Sequence, residues 1–368
     1  MNVQLTTGLL GVEENDTLDR LVSYGSRINK KRGFLFVSKV LGKHLPVAPS
    51  VMKQTYKELA ELIPKSDEYT LFIGFAETAT ALGQGVFDAY AHINSIYIHS
   101  TRFKTSQPVF FSFMEEHCHA PSHIFYEPKN PLMKDFLKKA TRVILIDDEV
   151  STGNTANNLV EQMKNVMPNV KEYFLLTLLN WSQNKYDNFN YLSLYTGEFS
   201  FKADQKVLSE TISVVSEPST PINLDSIIPD GFGRYGATLN ASYLLSGAPK
   251  IKELQKKKVL VLGTAEFMYP PYQYAHDLEN KGVDVYYQAT TRSPVNVDGA
   301  ISSKLSFKDN YSEGIDNFLY NVTDREYDLI IICYETTRLP KNYNLKEQLE
   351  KKFNVKEIFF KKDKYGVN

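Results

Sequence analysis

The sequence predicts an α/β fold with a parallel sheet, plus a second, smaller α/β domain. Three stretches carry that expectation. Val143-Ile144-Leu145-Ile146 is a run of branched apolar residues without alternation, as in a parallel strand covered on both faces. It leads into Asp147-Asp148, then a loop of small residues from Ser151 to Thr155, then a helical pattern from Ala156 to Met163. Leu71-Phe72-Ile73-Gly74 opens a comparable strand–loop–helix, and Val259-Leu260-Val261-Leu262-Gly263 opens a third far down the chain.

Length and composition bound what these stretches can belong to. The chain has 368 residues, enough for two domains. Its 42 basic and 43 acidic residues nearly cancel, so charge points to neither nucleic acid nor an acidic membrane surface. Tyrosine (23) and phenylalanine (22) are plentiful, which allows a sizeable core. Cys118 and Cys333 are too few for a disulfide framework and fit a reducing cytosol. The N-terminus has no basic stretch followed by an apolar run, and no apolar run approaches membrane-spanning length. A cytoplasmic protein is expected.

Residues 1–25 are weakly patterned, with Leu18, Leu21 and Val22 hinting at a short helix or an arm. A basic cluster from Arg27 to Arg32 precedes the strand-like run Phe34–Val37; Lys39 and Lys43 follow, and Pro46 and Pro49 end the pattern. Residues 51–63 read as a helix, because Met52, Tyr56, Leu59, Leu62 and Ile63 recur at helical spacing. After Leu71–Gly74 come Phe75, Ala76, Glu77 and Thr78, and small residues there let the backbone approach an anion closely. Ser95–His99 is a strand followed by two cations, Arg102 and Lys104.

Glu115, Glu116, His117, Cys118, His119 and His123 crowd into nine residues. Three readings stay open for them: a zinc site, a segment that closes over substrate, or a plain polar loop. Tyr173–Leu179 is the next buried strand, followed by polar, Asn-rich sequence to Asn190 and short strand-like runs over residues 191–215. Pro218, Pro221, Pro229, Gly231, Gly233 and Gly236 mark a connecting region. Within it Gly233-Arg234-Tyr235-Gly236 reads either as reaching back over a site or as a surface turn.

The chemistry concentrates around Asp147. Backbone N–H groups in a small-residue loop, with the N-terminal end of the following helix, suit a phosphate dianion. Carboxylates just upstream sit where vicinal sugar hydroxyls or a magnesium ion would lie. A phosphate cradle beside a diacid suggests a phosphorylated sugar.

The run Val143 to Thr155 resembles the phosphoribosyl-diphosphate (PRPP) signature of type I phosphoribosyltransferases: apolar strand, two acids, two spacers (Glu149 and Val150), then Ser-Thr-Gly-Asn-Thr. The resemblance implies a Rossmann-like parallel sheet with a hood, magnesium as cofactor, PRPP and a small-molecule acceptor as partners, and no nucleic acid. It implies that Asp147 and Asp148 hold the ribose hydroxyls or a metal-bound water, and that Ser151, Thr152, Gly153, Asn154 and Thr155 hold the 5-phosphate. Gly74 to Thr78 would be the pyrophosphate loop, with Arg102 and Lys104 reaching the diphosphate. A guanidinium suits that task because its planar fork takes phosphate oxygens two at a time. Glu77 departs from this, since a carboxylate beside pyrophosphate needs a metal or water between them. Residues 105–123 would be a lid, and Arg27, Lys39 and Lys43 candidates for the base pocket under the hood. Purine-salvage members place an Asp where this chain has Ser151, so an orotate-like or otherwise acidic acceptor gains weight.

The third strand–loop–helix reads as part of an internal repeat. Gly263-Thr264-Ala265-Glu266 parallels Gly74-Phe75-Ala76-Glu77, and Thr290-Thr291-Arg292 parallels Ser100-Thr101-Arg102. From Gly to Arg is 28 residues in the first case and 29 in the second. Leu329–Ile332 stands where the signature strand should, without a diacid or Gly-x-Thr. We read a degenerate second copy of the core. Thr291-Arg292-Ser293-Pro294 also resembles the TRSP domain found C-terminal to a phosphoribosyltransferase in tellurite-resistance-associated clusters, and Arg292 joins the candidate substrate residues. The expected division is 1–245 for the transferase domain and 246–368 for the TRSP-like domain, with a homodimer or an intrachain pseudo-dimer as the assembly. The rival reading is a non-catalytic regulator of the same fold that senses PRPP or nucleotide or binds RNA.

Overall fold

The computed structural model describes residues 1–27, 32–113, 123–204, 224, 227–239 and 241–362. The chain divides into two compact units, neither contiguous in sequence: Lys53–Thr196 with Asn223–Leu244 and Lys361–Asn368, and Met1–Met52 with Gly197–Ile222 and Leu245–Phe360. Among the described residues no helix is long and apolar enough to cross a membrane.

The unit containing Asp147 is built on a five-stranded sheet in the order Asn190–Thr196, Glu172–Asn180, Arg142–Val150, Thr70–Gly74, Ser95–His99. Every neighbouring pair is parallel. Strands inside a parallel sheet are covered on both faces, so they carry continuous apolar runs. Accordingly Leu71, Phe72, Ile73 and Val143 to Ile146 are all fully buried. Helices Ala79–Tyr90 and Asn154–Val166 follow two of the central strands, each entered through a short loop at the strand's carboxyl end. Gly74 is required by close approach: a Cβ there would lie 2.5 Å from both the Tyr97 hydroxyl and the Ala79 carbonyl.

The other unit joins N-terminal and C-terminal segments. Asn2–Leu5, Gly8–Val12 and Phe199–Ala203 form a three-stranded sheet, and Val22–Ser26 pairs antiparallel with Phe34–Ser38. The N-terminal segment is stitched to the C-terminal one by Val47 and Tyr287, which exchange backbone hydrogen bonds of 3.0 and 2.8 Å, and by Ala289, whose amide donates to the Gly42 carbonyl at 2.7 Å. Asp298 holds the same junction, accepting from the Thr6 amide at 2.8 Å and from the Ser26 hydroxyl. Four parallel strands of its main sheet run in the order Val355–Lys362, Leu329–Tyr334, Lys258–Gly263, Asp284–Ala289. One face packs Leu260, Leu262, Ile330 and Ile332 against Leu345 and Leu349.

The internal repeat extends to individual hydrogen bonds. The Ser100 amide donates to the Gly74 carbonyl at 3.0 Å, and the Thr290 amide to the Gly263 carbonyl at 3.0 Å. The Ala76 amide donates to the Ser100 hydroxyl at 2.8 Å, and the Ala265 amide to the Thr290 hydroxyl at 2.9 Å. Tyr97 and Tyr287, each five residues before the Arg, donate to the carbonyls of Thr80 and Met268. Thr101 bridges Ile124 in the hairpin of Val109–Phe113 and His123–Tyr126; Thr291 bridges Phe318 in the hairpin of Lys304–Lys308 and Asp316–Tyr320. The parallel sheet of the second unit thus repeats the strand order of the first and several of its hydrogen bonds.

Candidate functional site

The site lies at the carboxyl ends of three adjacent strands, Ser95–His99, Thr70–Gly74 and Arg142–Val150. Ligands of open α/β sheets gather at such ends, because loops and helix N-termini converge there. Gly74 pairs with Ile146, so the acid pair begins one residue beyond the point where the neighbouring loop leaves its strand.

The signature strand is longer than its apolar run. It stays in the ladder through Val150, with Asp147 opposite Thr177 and Glu149 opposite Leu179. Successive strand residues alternate faces, so Asp147 and Glu149 share one face and Asp148 takes the other. All three acids are half-buried, and the Asp148 amide donates to the Asp147 carboxylate at 2.9 Å.

The loop from Ser151 to Thr155 turns through Gly153, whose φ of 80° is a left-handed conformation that glycine adopts without penalty. Helix Asn154–Val166 starts there; the Asn154 amide donates to the Thr152 hydroxyl at 3.3 Å, and Gly153 at the cap position has no side chain to take the amides that follow. Amides at a helix N-terminus, together with the helix dipole, suit an anion. The polar stretch after Glu172–Asn180, which the sequence alone leaves unassigned, braces this loop. Ser182 and Asn184 both donate to the Thr152 carbonyl at 3.1 Å, and the Tyr186 hydroxyl donates to the Asn154 side chain at 2.6 Å. The signal that could have found them is the run of Ser, Asn and Tyr immediately after a buried strand.

Across from the cradle, Phe75, Ala76, Glu77 and Thr78 form a tight loop containing a cis Ala76–Glu77 peptide. The Phe75 amide donates to the Ile146 carbonyl at 3.1 Å, tying this loop to the signature strand. The Thr80 hydroxyl donates to the Glu77 carbonyl at 3.1 Å. Beyond Ser95–His99, Arg102 is half-buried and Lys104 exposed. The sequence leaves Arg234 between a site and a surface turn; the turn is not on the surface. Phe232–Tyr235 is a buried 3-10 turn, with Arg234 donating to the Thr101 hydroxyl at 3.2 Å and its guanidinium 5.4 Å from the Phe103 ring centroid. It supports the segment that carries Arg102.

Other expected residues lie in the second compact unit and are described there. Arg27 donates its amide to Gly33 and bridges Val295. The Lys39 ammonium donates to the Asp19 carbonyl, and the buried Lys43 ammonium to the Thr290 carbonyl at 3.2 Å. Arg292 pairs with Glu313 at 2.7 Å. His117, Cys118 and His119 fall outside the described residues, so only His123 of that cluster has a described environment.

Asp147 and Asp148 offer hard oxygen donors at a strand end. Among the described residues no three His, Cys, Asp or Glu side chains converge into a metal cage. This donor set suits a hard cation that keeps its waters and takes further oxygens from a ligand.

A family model described as phosphoribosyl transferase matches residues 21–204, and one described as the TRSP domain C terminus to PRTase_2 matches residues 232–351. A comparison with curated proteins finds no match. Among solved structures, the adenine phosphoribosyltransferase of Thermoanaerobacter pseudethanolicus is similar at 13% identity and TM-score 0.35, covering 49% of this chain and 97% of that one. The Trypanosoma brucei adenine enzyme, solved with AMP, pyrophosphate and ribose-5-phosphate, is similar at 14% identity and TM-score 0.33, covering 53% and 87%. The orotate phosphoribosyltransferase of Mycobacterium tuberculosis H37Rv is similar at 14% identity and TM-score 0.29, covering 50% and 97%. The family match, not these slight likenesses, carries the assignment. The chain belongs to the phosphoribosyl transferase family, with a TRSP domain following its transferase region.

Proposed function

We propose that this chain is a magnesium-dependent phosphoribosyltransferase that exchanges a phosphoribosyl group between PRPP and a small acceptor. The observation that carries the reading is the convergence of three features at adjacent strand ends: the Ser151–Thr155 cradle, the Asp147-Asp148 pair and the Gly74–Thr78 loop.

In this reading Ser151 to Thr155 take the 5-phosphate on backbone amides and the helix dipole. Asp147 and Asp148 accept from the ribose hydroxyls, with Glu149 on the same strand face as Asp147. Gly74 to Thr78, Arg102 and Lys104 face the diphosphate. As the C1–O bond breaks, positive charge develops on the sugar and negative charge on the diphosphate. The acids meet the first and the cations and loop amides the second, so catalysis is positioning and charge stabilisation. Asp147 and Asp148 would hold Mg²⁺, which when bound would neutralise charge developing on the leaving group.

Ser151 cannot accept and hold a ring proton as a carboxylate does, so an acidic, orotate-like acceptor is favoured over a purine. We assign the chemistry to the compact unit that carries Asp147 and Gly74–Thr78. The test is pyrophosphate release from PRPP and Mg²⁺ across a panel of pyrimidine, purine and carboxylate acceptors. Release with one acceptor class supports the reading. PRPP binding without release across the panel would favour a regulator instead.

A further inference from the structure

The pyrophosphate-side loop is held from behind by two residues that the scheme above does not use. Ser100 and His123 are both buried. The Ser100 hydroxyl accepts from the Ala76 amide at 2.8 Å and lies 2.8 Å from Nδ1 of His123. His123 opens the strand His123–Tyr126, and its ring is clamped by two aromatic rings. It stacks on Phe113 with centroids 4.9 Å apart and planes 6° from parallel, and meets Phe75 edge-on at 5.9 Å. Phe75 is itself part of the loop, so the imidazole touches the loop both through a ring and through Ser100.

The degenerate copy separates what belongs to the fold from what belongs to the site. Thr290 gives Ala265 the same hydroxyl bond that Ser100 gives Ala76. Asn317 stands where His123 would, one residue before the bridge partner Phe318, as His123 precedes Ile124. The hydroxyl clamp is therefore common to both copies. The imidazole accompanies only the copy with the acid pair and the phosphate cradle.

We propose that His123 is a positioning residue for phosphoribosyl transfer, acting through Ser100 to hold the Gly74–Thr78 loop in its diphosphate-binding shape. A hydroxyl has one proton and two lone pairs. The Ala76 amide occupies one lone pair; Nδ1 of His123, when unprotonated, takes the proton. With both engaged the hydroxyl cannot rotate, and the amide it holds has one fixed acceptor. Such fixation matters because loop amides act on the diphosphate only when already in place.

This inference rests on the transferase reading, and the experiment separates the two. His123→Phe keeps a ring for the Phe113 stack but has no nitrogen; His123→Asn restores a polar atom near the position of Nδ1. KM for PRPP, kcat, and calorimetric affinities for inorganic pyrophosphate and ribose 5-phosphate are measured on the full chain with Mg²⁺. His123→Phe is expected to raise KM for PRPP and weaken pyrophosphate by about tenfold, the size of one well-placed hydrogen bond. Ribose 5-phosphate affinity stays at the wild-type value, and His123→Asn recovers most of the loss. Ser100→Ala gives the same split, and adding His123→Phe to it produces no further loss, since both act through one hydroxyl. If His123→Phe folds poorly, Ser100→Ala, which leaves the Phe113 stack in place, still tests the inference through the same ligand split. Wild-type pyrophosphate affinity in His123→Phe, additive losses in the double variant, or equal losses for ribose 5-phosphate would overturn the inference. A wild-type chain that binds neither PRPP nor pyrophosphate would overturn the transferase reading and this inference with it.

Discussion

The Ala265 amide donates to the Thr290 hydroxyl at 2.9 Å, the counterpart of the 2.8 Å bond from Ala76 to Ser100. Beyond that shared bond the two copies diverge. Leu262 pairs with Ile332, so the continuing register places Tyr334 and Glu335 where the first copy has Asp147 and Asp148. Glu335 is buried and accepts from the Tyr311 hydroxyl at 2.7 Å. The loop after it reads Arg338-Leu339-Pro340-Lys341-Asn342, with no glycine to make the Gly153 turn. The second copy has kept the bonds that build the scaffold and lacks the groups that would hold a sugar phosphate.

Asp147→Asn with Asp148→Asn is expected to lower turnover by about 10²–10³-fold, the scale of removing preorganised charge stabilisation. Both acids sit half-exposed at a strand end, so the thermal midpoint should barely move. Near-normal turnover in a folded double variant would remove these acids from the chemistry.

Gly153→Ala forces a side chain into a left-handed turn, 2.7 Å from the Tyr191 hydroxyl. The strain is about 1–2 kcal/mol, and the loop that shifts to relieve it is the phosphate cradle. Ribose 5-phosphate affinity should fall while pyrophosphate affinity holds. Calorimetry with the two ligands separately checks this.

Asp298 predicts an acid-sensitive junction. Burial raises its carboxyl, but the Ser26 hydroxyl and the Thr6 amide outweigh it and hold the group below the usual carboxylate range. A lowered folded value means the stabilisation is present above the unfolded value of about 3.9 and lost as pH falls through the folded one. Asp298→Asn should cost about 1 kcal/mol at neutral pH, allowing for partial exposure. Its denaturation curves should also lose stability less steeply than wild type below about pH 4. Parallel acid limbs for the two proteins would put the sensitivity elsewhere.

Arg292 and Glu313 form a largely buried pair, and burial pushes the Glu313 carboxyl up in spite of the guanidinium 2.7 Å away. Breaking such a pair from one side strands a charge and costs about 3 kcal/mol, whereas an apolar pair of similar size is often neutral. Arg292→Met alone should therefore be markedly destabilised, and Arg292→Met with Glu313→Leu close to wild type. Chemical denaturation of the three proteins decides it, and equal costs for single and double variants would contradict the account.

How much of the fold and site is legible in the sequence depends on the range over which each feature is encoded. Val143–Ile146, the two loops and the repeat are readable, because burial on both faces and close backbone approach leave local marks such as Gly74 and Gly153. The joining of residues 1–52 to the C-terminal strands leaves none, since the Val47–Tyr287 exchange links segments far apart in the chain. Arg234 is ambiguous for a related reason: glycines on either side suggest a turn whether it is exposed or buried. The braces Ser182, Asn184 and Tyr186 act through carbonyl and amide partners that ordinary polar residues satisfy in many contexts.

On the proposed reading, one site holds a sugar phosphate at Ser151–Thr155 and a diphosphate at Gly74–Thr78 and Arg102. Calorimetric titration of PRPP, ribose 5-phosphate and pyrophosphate with Mg²⁺, on wild type and on Arg102→Ala, tests it most directly. A lost charge-assisted phosphate contact costs about 1.5–3 kcal/mol. Wild type is expected to bind all three, and Arg102→Ala to lose PRPP and pyrophosphate by at least about tenfold with ribose 5-phosphate unchanged. Equal weakening of all three ligands, or no binding of PRPP by wild type, would contradict it.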